Sequence, residues 1–281
     1  PHCGECEQVT LLAGKSTKPG TYNCKACRTK FTVTVGTLFE RSHIGLAKWM
    51  LAFRMMAAGK KGVSAHQLHR SLGVTYKTAW FMAHRIREAM RLDAPEPMGG
   101  EGKIIEADET YVGGKESNKH ANKRNQHKDH LGGKQAVVTL VERDGAARSF
   151  HVANVTSKTL RPIIVKHASR KSHLMTDGAR LYPAVGREFA AHSSVDHSAG
   201  EYVREGVHHS NTVENFFSIL KRGVYGTYLH VSEAHLGRYL TEFDFRYNTR
   251  KMNDNERAAE AVKGTVGKRL MYRQPNQAAY A

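Results

Sequence analysis

Ile104-Ile105-Glu106-Ala107-Asp108-Glu109 and Leu174-Met175-Thr176-Asp177-Gly178 each carry a short apolar run into an acid. Runs this short and apolar read as buried strands, and an acid at the end of such a run lies at the margin of a sheet. Alternation along the first strand sets Glu106 and Asp108 on one face and Glu109 on the other. Asp108 is the candidate functional acid because it stands at the exit of the run. The competing readings are an exposed strand-end acid at Asp108 and simple turn chemistry at Asp177-Gly178.

A third acid, Glu214, lies in Asn211-Thr212-Val213-Glu214-Asn215-Phe216-Phe217. Val213, Phe216, Phe217 and Leu220 recur at i, i+3, i+4, i+7, which makes them the core stripe of a helix. At about 100° per residue, Glu214 and Lys221 share one margin of that stripe, and Asn215 points well away from it. Glu214 can therefore face the sheet edge, with Lys221 placed to hold a phosphate. Asn211, one turn earlier, is the alternative third ligand, and Asn211-x-x-Glu214 also reads as a capping-box variant. Three acids gathered without metal would repel one another and raise at least one pKa. Two Mg²⁺ or Mn²⁺ ions would relieve that repulsion, since such ions take hard oxygen ligands and work in pairs on phosphoryl groups.

The rest of the composition fits a phosphate partner. The chain has 281 residues, 43 Lys+Arg against 26 Asp+Glu and a net charge of +17, an excess that favours a polyanion. Apolar content of 40% suffices for a real core. No apolar stretch approaches the ~20 residues that span a bilayer, and no signal peptide is visible. The expectation is a cytoplasmic protein with no membrane partner.

All four cysteines fall at the start, as Cys3-x-x-Cys6 and Cys24-x-x-Cys27. Two such knuckles can wrap one structural Zn²⁺, and so short a segment would need metal to fold. A disulfide pair is the alternative, disfavoured in a reducing compartment. The glycine that follows the second cysteine of many knuckles here follows Cys3. That leaves open a ligand ahead of Pro1, with Cys6 a spare thiol.

Thr29 to Val35 alternates as a strand. Leu46 to Ala58 reads as an amphipathic helix with Leu46, Trp49, Met50 and Phe53 inward. Ser64 to Val74 and Thr75 to Arg87 then form a short helix, a turn at Gly73 and a basic helix, a helix-turn-helix-like arrangement. Thr75, Tyr76, Lys77 and Thr78 would reach DNA bases, while Arg85 and Arg87 would contact phosphates; a plain helical bundle with solvated lysines is the alternative. Pro95 to Gly102 is a linker. Beyond it come a strand, a hairpin around Asp144-Gly145, a helix over 157–168, a strand ending at Asp177, helical residues 180–185, and helices over 211–221 and 232–246. This is the order of an RNase H-like α/β fold, in which the first and fourth strands are neighbours. Lys115, Lys119, Lys123, Arg124 and Lys128 form a basic stretch suited to clamping DNA, with a disordered polar loop as the alternative, and Lys221 and Arg222 suit the same partner. His208 and His209 could assist the site. The expected division is a zinc ribbon over 1–40, a helix-turn-helix-like unit over 41–94, a linker over 95–102, a catalytic unit over 103–250 and a helical extension over 251–281.

Several of these motifs carry a resemblance. Asp108-Glu109-Thr110-Tyr111-Val112-Gly113-Gly114-Lys115, Thr176-Asp177-Gly178, His209 to Phe217 and Leu220-Lys221-Arg222-Gly223 resemble bacterial insertion-sequence transposases of the family numbered 1595. So do Cys24-Lys25-Ala26-Cys27-Arg28, Val35 to Phe39 and Glu242 to Asn248. The likeness runs from about Cys3 to Arg250. It implies a zinc ribbon ahead of a DDE-type RNase H-like core, similar to Merlin elements. It further implies binding to the inverted repeats of double-stranded element ends, Mg²⁺-dependent exposure of 3′ hydroxyls, strand transfer into target DNA, and a homodimer or larger oligomer on paired ends. By position Asp108 and Asp177 match the family's aspartates and Lys221 its following basic residue; the third position is Glu214 or Asn211. The alternatives are an RNase H-like nuclease or resolvase that cuts without joining, and a non-catalytic zinc-ribbon regulator.

Overall fold

The computed structural model describes residues 3, 8–114, 117, 120–124, 133–195 and 211–272. Cys6, Lys115, Lys119, Lys128, His208, His209 and the side chain of Lys123 lie outside the described residues. None of the described helices is long and apolar enough to cross a membrane.

The chain begins with a three-stranded antiparallel sheet, β1 (Val9–Leu11), β2 (Thr21–Cys24) and β3 (Lys30–Thr32), paired through Val9↔Cys24 and Tyr22↔Phe31. The strand expected over 29–35 pairs only as far as Thr32, because β2 offers no partner beyond Thr21. The chain then turns, with Val35 N–H donating to Thr32 O, and leaves Val33 62% exposed.

Three helices follow: α1 (Leu46–Ala58), α2 (Ala65–Leu72) and α3 (Tyr76–Ala89). α1 has the expected bounds but a rotated face. Trp49, Ala52, Phe53, Met56 and Ala57 are buried, whereas Leu46 and Met50 are each 39% exposed. Ser64 caps α2 and Gly73 ends it in the left-handed conformation (φ 59°), where glycine carries no Cβ penalty. The core of this unit also takes in Leu38 and Phe39 upstream, and Ala261 and Leu270 from the far end of the chain. The helix α8 (Asp254–Lys263) and the residues after it return to the N-terminal helices. Two of the arginines expected on DNA are consumed in this packing. Arg85 donates to the carbonyls of Leu38 (2.8 Å) and Leu270 (3.0 Å). Arg87 is 2% exposed and donates to Glu242 at 2.6 Å, so its guanidinium cannot reach a phosphate.

Residues 95–102 do not run free: Met98 is buried and its N–H donates to His167 O at 2.8 Å. Beyond lies a five-stranded mixed sheet of order β6-β5-β4-β7-β8. Its strands are β4 (Ile104–Val112), β5 (Gln135–Glu142), β6 (Ala147–Val152), β7 (His173–Asp177) and β8 (Ala191–Val195). β4 and β5 are antiparallel, as are β5 and β6; β4–β7 and β7–β8 are parallel. The hairpin turns at Asp144, whose φ of 60° is one an Asp tolerates. α4 (Ser157–His167), capped by Thr156, and α5 (Pro183–Gly186) cover one face over Ile105, Ala107 and Leu174. α6 (Asn211–Gly223) and α7 (Glu233–Asn248) cover the other over Val137 and Val141. A π-helical turn, Val224–Tyr228, extends α6.

Candidate active site

Strand register brings the two aspartates together. β4 and β7 pair through Glu106↔Met175 and Ala107↔Thr176. One further step in that register sets Asp108 beside Asp177, the last residue of β7. β4 itself continues to Val112 against β5, so Asp108 marks the exit from the β4–β7 ladder and not the end of its strand.

Carboxylate oxygens of Asp108, Glu109 and Asp177 all lie within 4.8 Å of one another. Alternation does send Glu109 to the opposite face, where the wholly buried Tyr182 donates its phenol to it. Glu109 joins the group because β7 stops at Asp177. At that margin no strand separates the two faces, and acids from both can converge.

Burial pushes the Asp108 carboxyl up to about 8. The Glu109 N–H, donating at 2.7 Å, pulls it back, while the charges of Asp177, Glu109 and Glu214 push it further up. Glu109 is raised by burial, against the hydrogen bond from Tyr182. Three close oxygen donors, one of them holding a proton at neutral pH only because its surroundings disfavour charge, fit a hard divalent cation.

α6 carries Glu214 toward this edge, and Glu106 anchors the helix. Glu106 is wholly buried; its Oε2 accepts the N–H groups of Thr212 (2.9 Å) and Val213 (3.0 Å), and its Oε1 accepts the Thr212 hydroxyl (2.9 Å) and Arg143 Nε (2.7 Å). A carboxylate on the helix's first N–H groups satisfies them and meets the positive end of the dipole. Val213, Phe216, Phe217 and Leu220 are buried as the helical pattern requires, and Glu214 and Asn211 are exposed. Glu214 stands outside the 4.8 Å group, although its charge acts on Asp108. Neither Glu106, Glu109 nor Tyr182 was expected at this site. Glu106 had shown itself only by sharing a face with Asp108.

Of the expected DNA contacts, Thr75, Tyr76 and Lys77 are exposed at the start of α3. Thr75 is the N-cap, its hydroxyl accepting from Thr78 N–H at 3.2 Å. The Lys77 ammonium lies 4.7 Å from the Tyr272 ring centroid, and Arg124 donates to Ser117 O at 2.9 Å. Lys221 is half-buried and Arg222 exposed, the latter donating to Ser218 O at 3.2 Å. At the other end of the molecule, sulfurs of Cys3, Cys24 and Cys27 lie within 4.8 Å of one another. Cys3 and Cys24 are 3.7 Å apart, beyond the ~2.05 Å of a disulfide. Three converging thiols suit a tetrahedral soft-ligand site.

The model of the ISXO2-like transposase domain matches residues 99–248, the span from the packed segment before β4 to the end of α7. An uncharacterized protein in transposable element ISH50 of Halobacterium salinarum is 32% identical over 256 residues, covering 87% of this chain and 84% of that protein. The chain belongs to the insertion-sequence transposase family numbered 1595. Among solved structures, the Mos1 strand transfer complex is similar at 11% identity and a TM-score of 0.31, covering 79% of this chain and 75% of that one. The Mos1 transposase paired-end complex with left transposon end matches at 10% identity and 0.30, covering 78% and 79%. Likenesses at TM-scores this low do not bear on the site.

Proposed function

We propose that this transposase cuts at the ends of its element and joins the freed 3′ hydroxyls to target DNA, using Asp108, Asp177 and Glu214 on an RNase H-like core to hold two Mg²⁺ or Mn²⁺ ions. The observation that carries this reading is the convergence of Asp108 and Asp177 within 4.8 Å, in the part of the chain that matches the transposase domain. The parallel neighbours β4 and β7 support the RNase H-like assignment. Bound there, the ions would assist the attacking and leaving oxygens of an in-line phosphoryl transfer.

The protein's own groups prepare that site. Glu106 fixes the start of α6 and so aims Glu214 at the sheet margin. Tyr182, kept neutral by burial, holds Glu109 against the aspartates. A cation held there would lower the Asp108 pKa and let its carboxylate serve as a ligand. Lys221, two turns beyond Glu214, is suited to a DNA phosphate. Cys3, Cys24 and Cys27, with Cys6 or another fourth ligand, would hold one structural Zn²⁺. Double-stranded DNA is the partner, and two paired ends call for a homodimer or larger assembly.

The acids suit a nuclease that never joins equally well, so joining is the test. Purified protein with Mg²⁺, an element-end duplex and a supercoiled plasmid should yield plasmid carrying the joined 3′ end. Asp177→Asn should bind the same duplex and yield none. Cleavage without any joined product would assign the protein to the nucleases.

A further inference from the structure

Lys61, Lys221, Arg222, Tyr225, Gly226 and Thr227 line an open cleft between the α1–α2 loop and the end of α6. Three of the six are cationic and none is acidic. The loop seats on the helix through two glycines. A Cβ on Gly223 would meet the Lys61 carbonyl oxygen at 2.7 Å and Phe243 Cζ at 2.3 Å. Gly62 has φ +100°, and a Cβ there would meet the Tyr228 hydroxyl at 2.0 Å. A side chain at Gly223 would strike the Lys61 backbone, and one at Gly62 would strike the Tyr228 ring. Behind the contact, Glu242 accepts from both Tyr228 and Arg87 at 2.6 Å, which locks the π turn to α3 and α7. Tyr225 donates to Gly113 O at 3.2 Å and so ties the same turn to the end of β4.

Lys61 is therefore held beside Lys221 by the fold. A solvated face needs no such fixture, and crowding like charges is unfavourable unless a polyanion compensates. Arg222 spends its guanidinium on neutral acceptors, Ser218 O and Oγ, and among the described residues no carboxylate pairs with it.

We propose that this cleft is a composite site for DNA backbone phosphates, in which the N-terminal helical unit supplies Lys61 and the sheet unit supplies Lys221 and Arg222. The choice of DNA as the polyanion rests on the transposase reading above. Glu214 and Lys221 are seven residues apart on one helix, or about 10 Å at 1.5 Å per residue. The cleft would therefore hold phosphates close to, but distinct from, the reacting one. The helical unit would thereby grip the strand that the acids act on.

The test is fluorescence anisotropy with the full-length protein and a labelled duplex of unrelated sequence, titrated over a range of salt with no divalent metal present. Each phosphate contact contributes about 0.9 to the slope of log affinity against log salt. Lys61→Ala should reduce that slope by about that amount and weaken binding several-fold at low salt. Lys61→Glu should weaken it further, and Lys61→Arg should restore it. Lys61 is exposed, so thermal melts of all three variants should match the wild type. Lys61→Glu with wild-type affinity and slope would overturn the proposal, whatever Lys221→Ala does. Joining is measured separately: a wild type that binds through the cleft but never joins ends would remove the strand-transfer reading and leave the phosphate site standing.

Discussion

Glu106 and Asp108 point the same way from β4, two residues apart, yet their surroundings give them opposite tasks. Glu106 accepts four hydrogen bonds and Asp108 one from its neighbour's backbone, in a cluster that repels it. Glu106→Gln replaces an acceptor by an amide donor facing helix N–H groups. It should cost about 1–3 kcal/mol in denaturant titration, the usual range for stranding a buried partner, and should lower joining without touching a metal ligand. Asp108→Asn should abolish joining and raise the melting temperature of metal-free protein at neutral pH, because folding must protonate Asp108, which the unfolded chain holds ionised, and the amide carries no such cost. An unchanged melt would mean that Asp108 carries no such strain. For the third ligand, Glu214→Gln should abolish joining and Asn211→Ala should retain it; the reverse would move the role to Asn211. The two aspartates were legible because each closes an apolar run. Glu109 was not, since alternation tells which face a side chain leaves from and not where the neighbouring strand stops.

At the scale of elements, α7 joins the two halves of the molecule. Glu242 is wholly buried between Arg87 and Arg246, and the Coulombic pull of both holds its carboxyl low despite burial. Glu242→Gln would leave two buried arginines without their anion. A loss of about 3–5 kcal/mol is expected in equilibrium unfolding, as for other broken buried pairs. Two residues on, Asp244 accepts from Ser149 N–H (2.9 Å) and its hydroxyl (2.7 Å), but burial outweighs those bonds and lifts its pKa to about 7. An unfolded aspartate titrates near 3.9. Between the two values the folded protein holds a proton that the unfolded chain has released, so this group's contribution falls as pH rises from about 4 to 7. Melts across that window should flatten in Asp244→Asn; an identical pH profile would exclude the group. In helices with one apolar stripe, such as α6, the buried face was readable, although α6 runs two residues past the expected 211–221 and on into the π turn. α1 is apolar nearly all round, so periodicity could not choose between Met50 and Met56 for the inside. β8, Ala191-His192-Ser193-Ser194-Val195, escaped notice because an edge strand with small polar residues has no apolar signature.

At the scale of the whole molecule, the chain closes on itself, and this decides which parts stand on their own metal. Leu38 N–H donates to Thr265 O at 3.0 Å, and Leu270 enters the core built on α1 and α3. The helical unit and the sheet unit thus share interfaces with large apolar cores. The N-terminal sheet has none: among the described residues of 8–32 only Cys24 is buried, and Val9 and Leu11 are 39% and 56% exposed. Strands of three and four residues with so little apolar burial offset little of their ordering entropy, so a metal held by the thiols that converge on Cys24 is the proposed source of their stability. Elemental analysis should find one zinc per chain. Chelation under reducing conditions should release it and speed amide exchange over 8–32. Exchange in 104–112 and 173–177 should stay slow, because those strands sit in the centre of the five-stranded sheet with helices on both faces. Should 8–32 exchange at the same rate with and without chelator, the thiols would be holding no structural ion, and the spacing of the cysteines would need another cause.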